Sequence, residues 1–218
     1  MRETSETSES ASASRTIGIA GLGAYLPERV MENAEWAEYV DTSDEWIRSR
    51  TGIERRRIAG EDETTATLAV AAARRALEDA GIGVDDVDEI IVATDTPEVY
   101  IPDTAAFVQT MLGTREIPAY DLAGSGCAGW LQALDVARSR VLGGKQRVLV
   151  IGVEVLSRLM DWNDRATAVL FGDGAGAAVV TELGERASAP ERSVGELVAT
   201  VAGTDGSRWD ILCLETGG

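Results

Sequence analysis

Cys127 lies in the run YDLAGSGCAGWLQALDVA, residues 120–137, where a short apolar approach meets Gly124-Ser125-Gly126 and then a stretch with helical spacing. Glycines on either side of Ser125 permit a tight turn that most side chains would forbid. A cysteine just beyond such a turn falls in the first turn of the following helix, where unpaired amides and the macrodipole favour a thiolate. The pattern is a strand-turn-helix elbow, and its chemistry is that of an activated nucleophile. The competing reading of Cys127 is a small apolar residue buried in the core, a common use of a free cysteine.

A second set of residues suits binding rather than bond making. Trp46 and Arg50 are four apart and share one face of a helix, and an indole beside a guanidinium fits a purine ring or an anionic cofactor. The alternative is a half-exposed tryptophan shielded by its arginine. Asp164-Arg165 supplies either another guanidinium or a salt bridge within a turn. The stretch FGDGAGAAVV, residues 171–180, is glycine-rich but lacks the lysine and hydroxyl of a phosphate-binding P-loop. Its aspartate reads as part of a structural turn, with an actin-like ATPase hairpin as the rival.

These residues need elements to carry them. A buried strand ending in a glycine turn is expected over Thr16 to Gly23; its GLGAYL is no dinucleotide fingerprint, because Leu26 stands where a third glycine is required. Asn33 is a candidate cap for a short helix to Val40, and Thr42-Ser43-Asp44 for a second one that Gly52 ends. A strand follows at 53–59. Thr64 or Thr65 then caps an amphipathic helix with Leu68, Ala72, Ala76, Leu77 and Ala80 inward, stopped by Gly81. Further strands are expected at 88–94, 117–122 and 147–153, and helices at 104–112 and 128–142, the last apolar round much of its circumference. Residues 168–171 and 175–181 read as a hairpin about Gly172-Asp173-Gly174. Alternating strands and helices give an α/β layered fold, with a mixed central sheet covered by helices.

With 218 residues, 44% of them hydrophobic, the chain can bury a real core. Its net charge of −17 and single lysine, Lys145, argue against a nucleic-acid partner, which needs a basic face. No run approaches the ~18 apolar residues of a membrane span, so no membrane partner is expected. Cys127 and Cys213 match no metal or redox spacing, and a reducing cytoplasm fits them. Residues 1–14 are polar and rich in Ser, Thr and Glu, and read as a disordered tail. The chain holds no histidine.

Three stretches taken together resemble the β-ketoacyl-ACP synthase III family of the thiolase-like superfamily: DTSDEWIRSRTGIERRRIA at 41–59, GSGCAGW at 124–130 and DWNDRATAVLFGDGAGAAVV at 161–180. The resemblance covers most of residues 15–181 and implies a thiolase-like fold in two duplicated halves. Residues 15–183 would form the N-terminal half and 184–218 the start of the second. It implies that Cys127 accepts the acyl group. Thr42, Trp46, Arg50 and Arg165 would hold the coenzyme A nucleotide, with Trp46 and Arg165 sandwiching the adenine. Ile101 would reach the neighbouring subunit's acyl pocket in a homodimer of the full-length protein. Coenzyme A thioester enters as substrate, with no tightly bound cofactor and no metal. Malonyl-ACP is the second substrate, losing carbon dioxide to give a carbanion that attacks the acyl-cysteine.

The family assigns decarboxylation to a histidine and an asparagine in its C-terminal half, neither of which this chain supplies. A fragment of an acyltransferase is therefore the first expectation. A non-catalytic thiolase-like scaffold subunit of a split or heteromeric synthase is the second, and an ATP-binding domain the third. The fragment's sheet is expected to leave a large apolar face uncovered, favouring aggregation or dimerisation.

Overall fold

The computed structural model describes residues 15–184, 193–211 and 213. The expected tail at 1–14 lies outside the described residues, as do 185–192, 212 and 214–218 of the chain's last part. Among the described residues eight strands and four α-helices run in the order β1 (Thr16–Tyr25), β2 (Arg29–Glu32), α1 (Asp44–Thr51), β3 (Arg55–Ile58), α2 (Thr65–Ala80), β4 (Glu89–Ala93), α3 (Thr104–Leu112), β5 (Ala119–Leu122), α4 (Gly129–Leu142), β6 (Arg147–Val155), β7 (Asp173–Leu183) and β8 (Gly195–Glu196).

Six strands make one sheet in the order β5-β4-β6-β7-β1-β8, and β2 with β3 form a separate antiparallel pair. β4 runs parallel to both β5 and β6, whereas β7 is antiparallel to β6 and β1. The sheet is thus mixed, as expected, but for a different reason. No hairpin surrounds Gly172-Asp173-Gly174: residues 168–170 form a 3-10 turn, and β7 is one eleven-residue strand that begins at Asp173. Alternating small residues there (Ala175, Ala177, Val179) face one side and Ala178 and Val180 the other, so both faces can be covered closely.

β1 also departs from expectation, since it does not end in a turn at Gly23 but continues to Tyr25. A Cβ at Gly21 or Gly23 would collide with the backbone of Ala76 and its neighbours on α2. These glycines let the helix lie directly on the strand. Thr64 caps α2 through its hydroxyl, and Gly81, in the left-handed region, ends it. Every residue of its expected inner stripe is buried. At the first 3-10 turn, Glu32 rather than Asn33 occupies the capping position, and Asn33 is buried in a different role described below.

Helices α2 and α3 cover one face of the sheet and α4 the other, so strand residues such as Ile90, Ile91, Val148 and Val150 are wholly buried. Each such side chain contributes about 1.5–3 kcal/mol. The expected bare sheet face is therefore absent from the described residues. On the α4 side Ala133 and Ala137 are buried against the sheet. What stays open is the outer side of α4: Leu131, Asp135, Ser139 and Leu142 are exposed, so this helix is two-faced and not buried all round.

Candidate active site

Strands β1, β4, β5 and β6 all end at one edge of the sheet, where antiparallel β7 begins: Val155 pairs with Asp173, and Tyr25 with Ala175. Ligand sites of α/β sheets lie beyond the carboxyl ends of such strands. Asp95 follows β4, Cys127 follows β5 and Glu154 is the penultimate residue of β6, so the topology gathers all three at this edge.

The elbow at Cys127 is built as its sequence suggests. Gly124 and Gly126 have φ of 78° and 53°, while Ser125 between them is right-handed at φ −115°. A 3-10 turn over 126–128 then feeds α4. Cys127 is exposed, which removes the reading of it as a core residue. The turn is held from two sides. Ser125 Oγ bonds Gln132 Oε1 on α4 at 2.7 Å. On the other side the Asp95 carboxylate accepts the N–H of Gly124 on one oxygen and that of Gly126, at 2.7 Å, on the other.

Asp95 is itself fixed by Glu154, whose Oε1 accepts the Asp95 N–H at 2.9 Å and whose Oε2 accepts Thr96 Oγ1 at 2.6 Å. Burial holds the Glu154 carboxyl above the usual range, opposed by its bonds from Thr96 and Asp95. Asp95 also lines a cleft of about 530 Å³ with Thr64, Thr96, Val99, Tyr100 and Arg158. Neither acidic residue was singled out from the sequence. The available signal was position: an aspartate directly after a buried strand, next to the strand that leads to the elbow.

The second group forms around Trp46. Ser43 caps α1 by accepting the Trp46 N–H, and Gly52 closes the helix in the left-handed region. The Arg50 guanidinium lies 4.5 Å from the centre of the Trp46 ring and that of Arg165 4.0 Å. Thr42 Oγ1 and Arg165 Nε are both buried and have no hydrogen-bond partner. Arg165 reaches this place because Asp164 folds its own turn, accepting Ala166 N at 2.9 Å and the Thr167 hydroxyl. Those bonds hold the Asp164 carboxyl below its usual range, the Thr167 hydroxyl foremost. Asp164 thus shapes the turn and is not the salt-bridge partner of Arg165.

Against this platform lies an aromatic and cationic core whose long-range partners no local spacing shows. Trp36, wholly buried, stacks on Trp162 with ring centres 5.0 Å apart, and Tyr39 meets both. The buried Arg56 sits over the Trp36 ring at 5.7 Å, donates to Asn33 Oδ1 and bonds the carbonyl of Val169 through Nε at 3.0 Å. Asn33 in turn donates to Asp44 Oδ1 at 2.8 Å and to the Ile53 carbonyl. Burial pushes the Arg56 pKa down from its ordinary value. The chain Asp44–Asn33–Arg56–Val169 ties the start of α1 to the segment that carries Arg165.

Asp173, 5% exposed, accepts from Ala59 N, Ser157 N and Ser157 Oγ at 2.6–2.9 Å. It is spent on internal bonds, and without a hairpin the ATP-binding rival loses the element it needs. Ile101 stands on the loop before α3, 89% exposed beside Tyr100 at 86%. The structure therefore brings Thr42, Trp46, Arg50 and Arg165 into one neighbourhood, with Cys127 on the elbow after β5 and Ile101 on the loop before α3.

The family model described as 3-oxoacyl-(acyl-carrier-protein) synthase III matches residues 120–206, which include the elbow. The beta-ketoacyl-(acyl-carrier-protein) synthase III of Cereibacter sphaeroides (strain ATCC 17023) is 48% identical over 200 residues, 91% of this chain and 61% of that protein. The crystal structure of 3-oxoacyl-(acyl carrier protein) synthase III from Pseudomonas aeruginosa PAO1 superposes with a TM-score of 0.83 at 37% identity, covering 94% of this chain and 62% of that one. Over the matched residues the chain is similar to the β-ketoacyl-ACP synthase III family. The synthase III of Thermus thermophilus is 54% identical, with a TM-score of 0.73 over 78% of this chain and 52% of its own. The thiolase-like α/β architecture is that of the family. The chain spans about three fifths of the length of the curated relatives it matches. No described helix is long and apolar enough to cross a membrane.

Proposed function

We propose that this chain carries the acyl-accepting part of a β-ketoacyl-ACP synthase III reaction, with Cys127 as the nucleophile. The observation that carries the reading is the exposed Cys127 on a glycine elbow, where β5 feeds α4. The Cys127 sulfur attacks the thioester carbon of an acyl-CoA, the bond from carbon to the CoA sulfur breaks, and CoA leaves as its thiol. The proton that Cys127 gives up passes to water, which reaches the exposed side chain and returns a proton to the departing CoA thiolate. The products are an acyl-cysteine and free CoA. The Cys127 amide is one proposed donor for the tetrahedral oxyanion.

The CoA nucleotide is placed on Thr42, Trp46, Arg50 and Arg165. Two of the buried polar atoms without partners, Thr42 Oγ1 and Arg165 Nε, support this, because such groups rarely go unpaired. Arg165 lies directly against Trp46, and a flat ring between them needs about 7 Å of separation, two contact distances of ~3.5 Å. Adenine therefore enters only as Arg165 swings off the indole.

Residues 15–183 are proposed as the first of two duplicated halves. Condensation with malonyl-ACP is proposed to draw on a histidine and an asparagine from outside this unit, and Ile101 to line a dimer mate's pocket. The expected test of the nucleotide site is calorimetric titration with CoA. Trp46→Ala should weaken binding roughly tenfold, the size of a partly desolvated cation–π contact. Unchanged affinity would remove the platform from the proposal.

A further inference from the structure

We infer that Asp95 is a positioning residue for Cys127, clasping the elbow through the amides of Gly124 and Gly126; the inference rests on the acyl-accepting role proposed for that cysteine. Two left-handed glycines about a right-handed serine turn their N–H groups to one side, a concave arrangement that receives an anion. Here the anion is internal, with one carboxylate oxygen for each amide. Such a two-point contact fixes orientation as well as distance.

Nothing in the glycines holds the turn by itself, because a stretch with two of them has many other conformations open to it. The clasp also has a rigid seat. Asp95 leaves the buried strand β4, its N–H is taken by Glu154, and Thr96 beside it bonds both Glu154 and the Val155 amide of β6. The elbow is thus referred to two neighbouring parallel strands and not only to its own helix. Cys127, the next residue after Gly126, takes its place from that clasp. Asp95 does not touch the reacting atoms in this scheme; it acts through the backbone it holds.

The test compares the full chain with Asp95→Ala and Asp95→Asn, reading amide hydrogen exchange and single-turnover acylation from acetyl-CoA. In Asp95→Ala the amides of Gly124 and Gly126 should exchange on the order of tenfold faster or more, with α2 and β4 amides unchanged. Asparagine offers one acceptor oxygen, so Asp95→Asn should keep one of the two amides protected. The maximal acylation rate of Asp95→Ala should fall by roughly 10²-fold, the scale of a nucleophile misplaced by about an ångström. The acetyl-CoA concentration for half-maximal rate should stay put, since Trp46, Arg50 and Arg165 are untouched.

Formate should restore part of that rate in Asp95→Ala by entering the cleft that Asp95 lines. Asp95→Ala that opens both amides yet acylates at the parental maximal rate would overturn the inference. So would a parent whose Gly124 and Gly126 amides exchange as fast as those of the variant. A parent that takes up no acetyl group while both amides stay protected would overturn the proposed function alone, leaving Asp95 as the holder of the turn.

Discussion

The platform around Trp46 and the elbow at Cys127 are made in opposite ways. The platform is thick: Trp46 packs against a buried cluster that holds Trp36, Ile47 and Val169, and a buried guanidinium, Arg56, ties Trp36 to the Val169 carbonyl. The elbow is thin: an exposed cysteine on three residues of backbone, held by one carboxylate and one side-chain bond from Ser125 to Gln132. A binding surface for a flat ring tolerates small shifts, so bulk packing is enough to present it. A nucleophile must be aimed, and aiming comes from directed hydrogen bonds on backbone that would otherwise be free.

The largest expected effect is on the platform. Trp36→Ala removes a wholly buried ring and strips the aromatic face from Arg56, and should cost about 3–5 kcal/mol in urea denaturation. CoA binding should go with it, while exchange of the Gly124 and Gly126 amides should not change. Joint loss at both places would show that the two regions form one cooperative unit, contrary to the contrast drawn here.

Gly124→Ala probes the other side. A Cβ there meets nothing within 4 Å, so only the left-handed φ of 78° opposes it. The expected cost is roughly 1–2 kcal/mol. It should appear as faster exchange at Gly126 and slower acylation of Cys127, with CoA affinity intact. Weaker CoA binding instead would mean that the elbow and platform are coupled.

What could be foreseen from the sequence divides along the same line. Cys127 and its two glycines are adjacent, and Trp46 and Arg50 lie one helical turn apart, so local spacing alone exposes them. The caps Ser43 and Thr64 and the stops Gly52 and Gly81 are local for the same reason. Asp95 lies 29 and 31 residues from the amides it holds, and Arg56 lies 113 from the carbonyl of Val169. No periodicity in the chain reports such pairs; they follow only from strand order. The misread hairpin has a related cause. Glycine and aspartate at 172–174 look like a turn, but a buried aspartate with three internal donors starts a strand equally well.

Acid should act on the two regions with opposite signs, the smallest of the expected effects. Glu154, raised by burial, takes up its proton in the folded state before the unfolded chain does. Its contribution is fully present below the ordinary carboxylate pKa and is lost as pH rises through the raised value. Asp164, lowered by its bonds from Thr167 and Ala166, contributes above the ordinary carboxylate pKa and loses that contribution as pH falls through its folded value. Moving from neutral pH to below the ordinary carboxylate range should therefore loosen the 161–167 turn relative to the strands behind the elbow, measured by exchange corrected for intrinsic rates. Glu154→Gln should remove the acid-side gain at the elbow and leave the turn's response as it was.

Acyl transfer to Cys127 is tested most directly by incubating the full chain and Cys127→Ala with radiolabelled acetyl-CoA, followed by peptide mapping and assay of released CoA thiol. The expected result is label on the peptide that contains Cys127, CoA released in equal amount, and neither in Cys127→Ala. Label taken up equally by Cys127→Ala, or none in a folded parent that binds CoA, would contradict it and favour the non-catalytic scaffold.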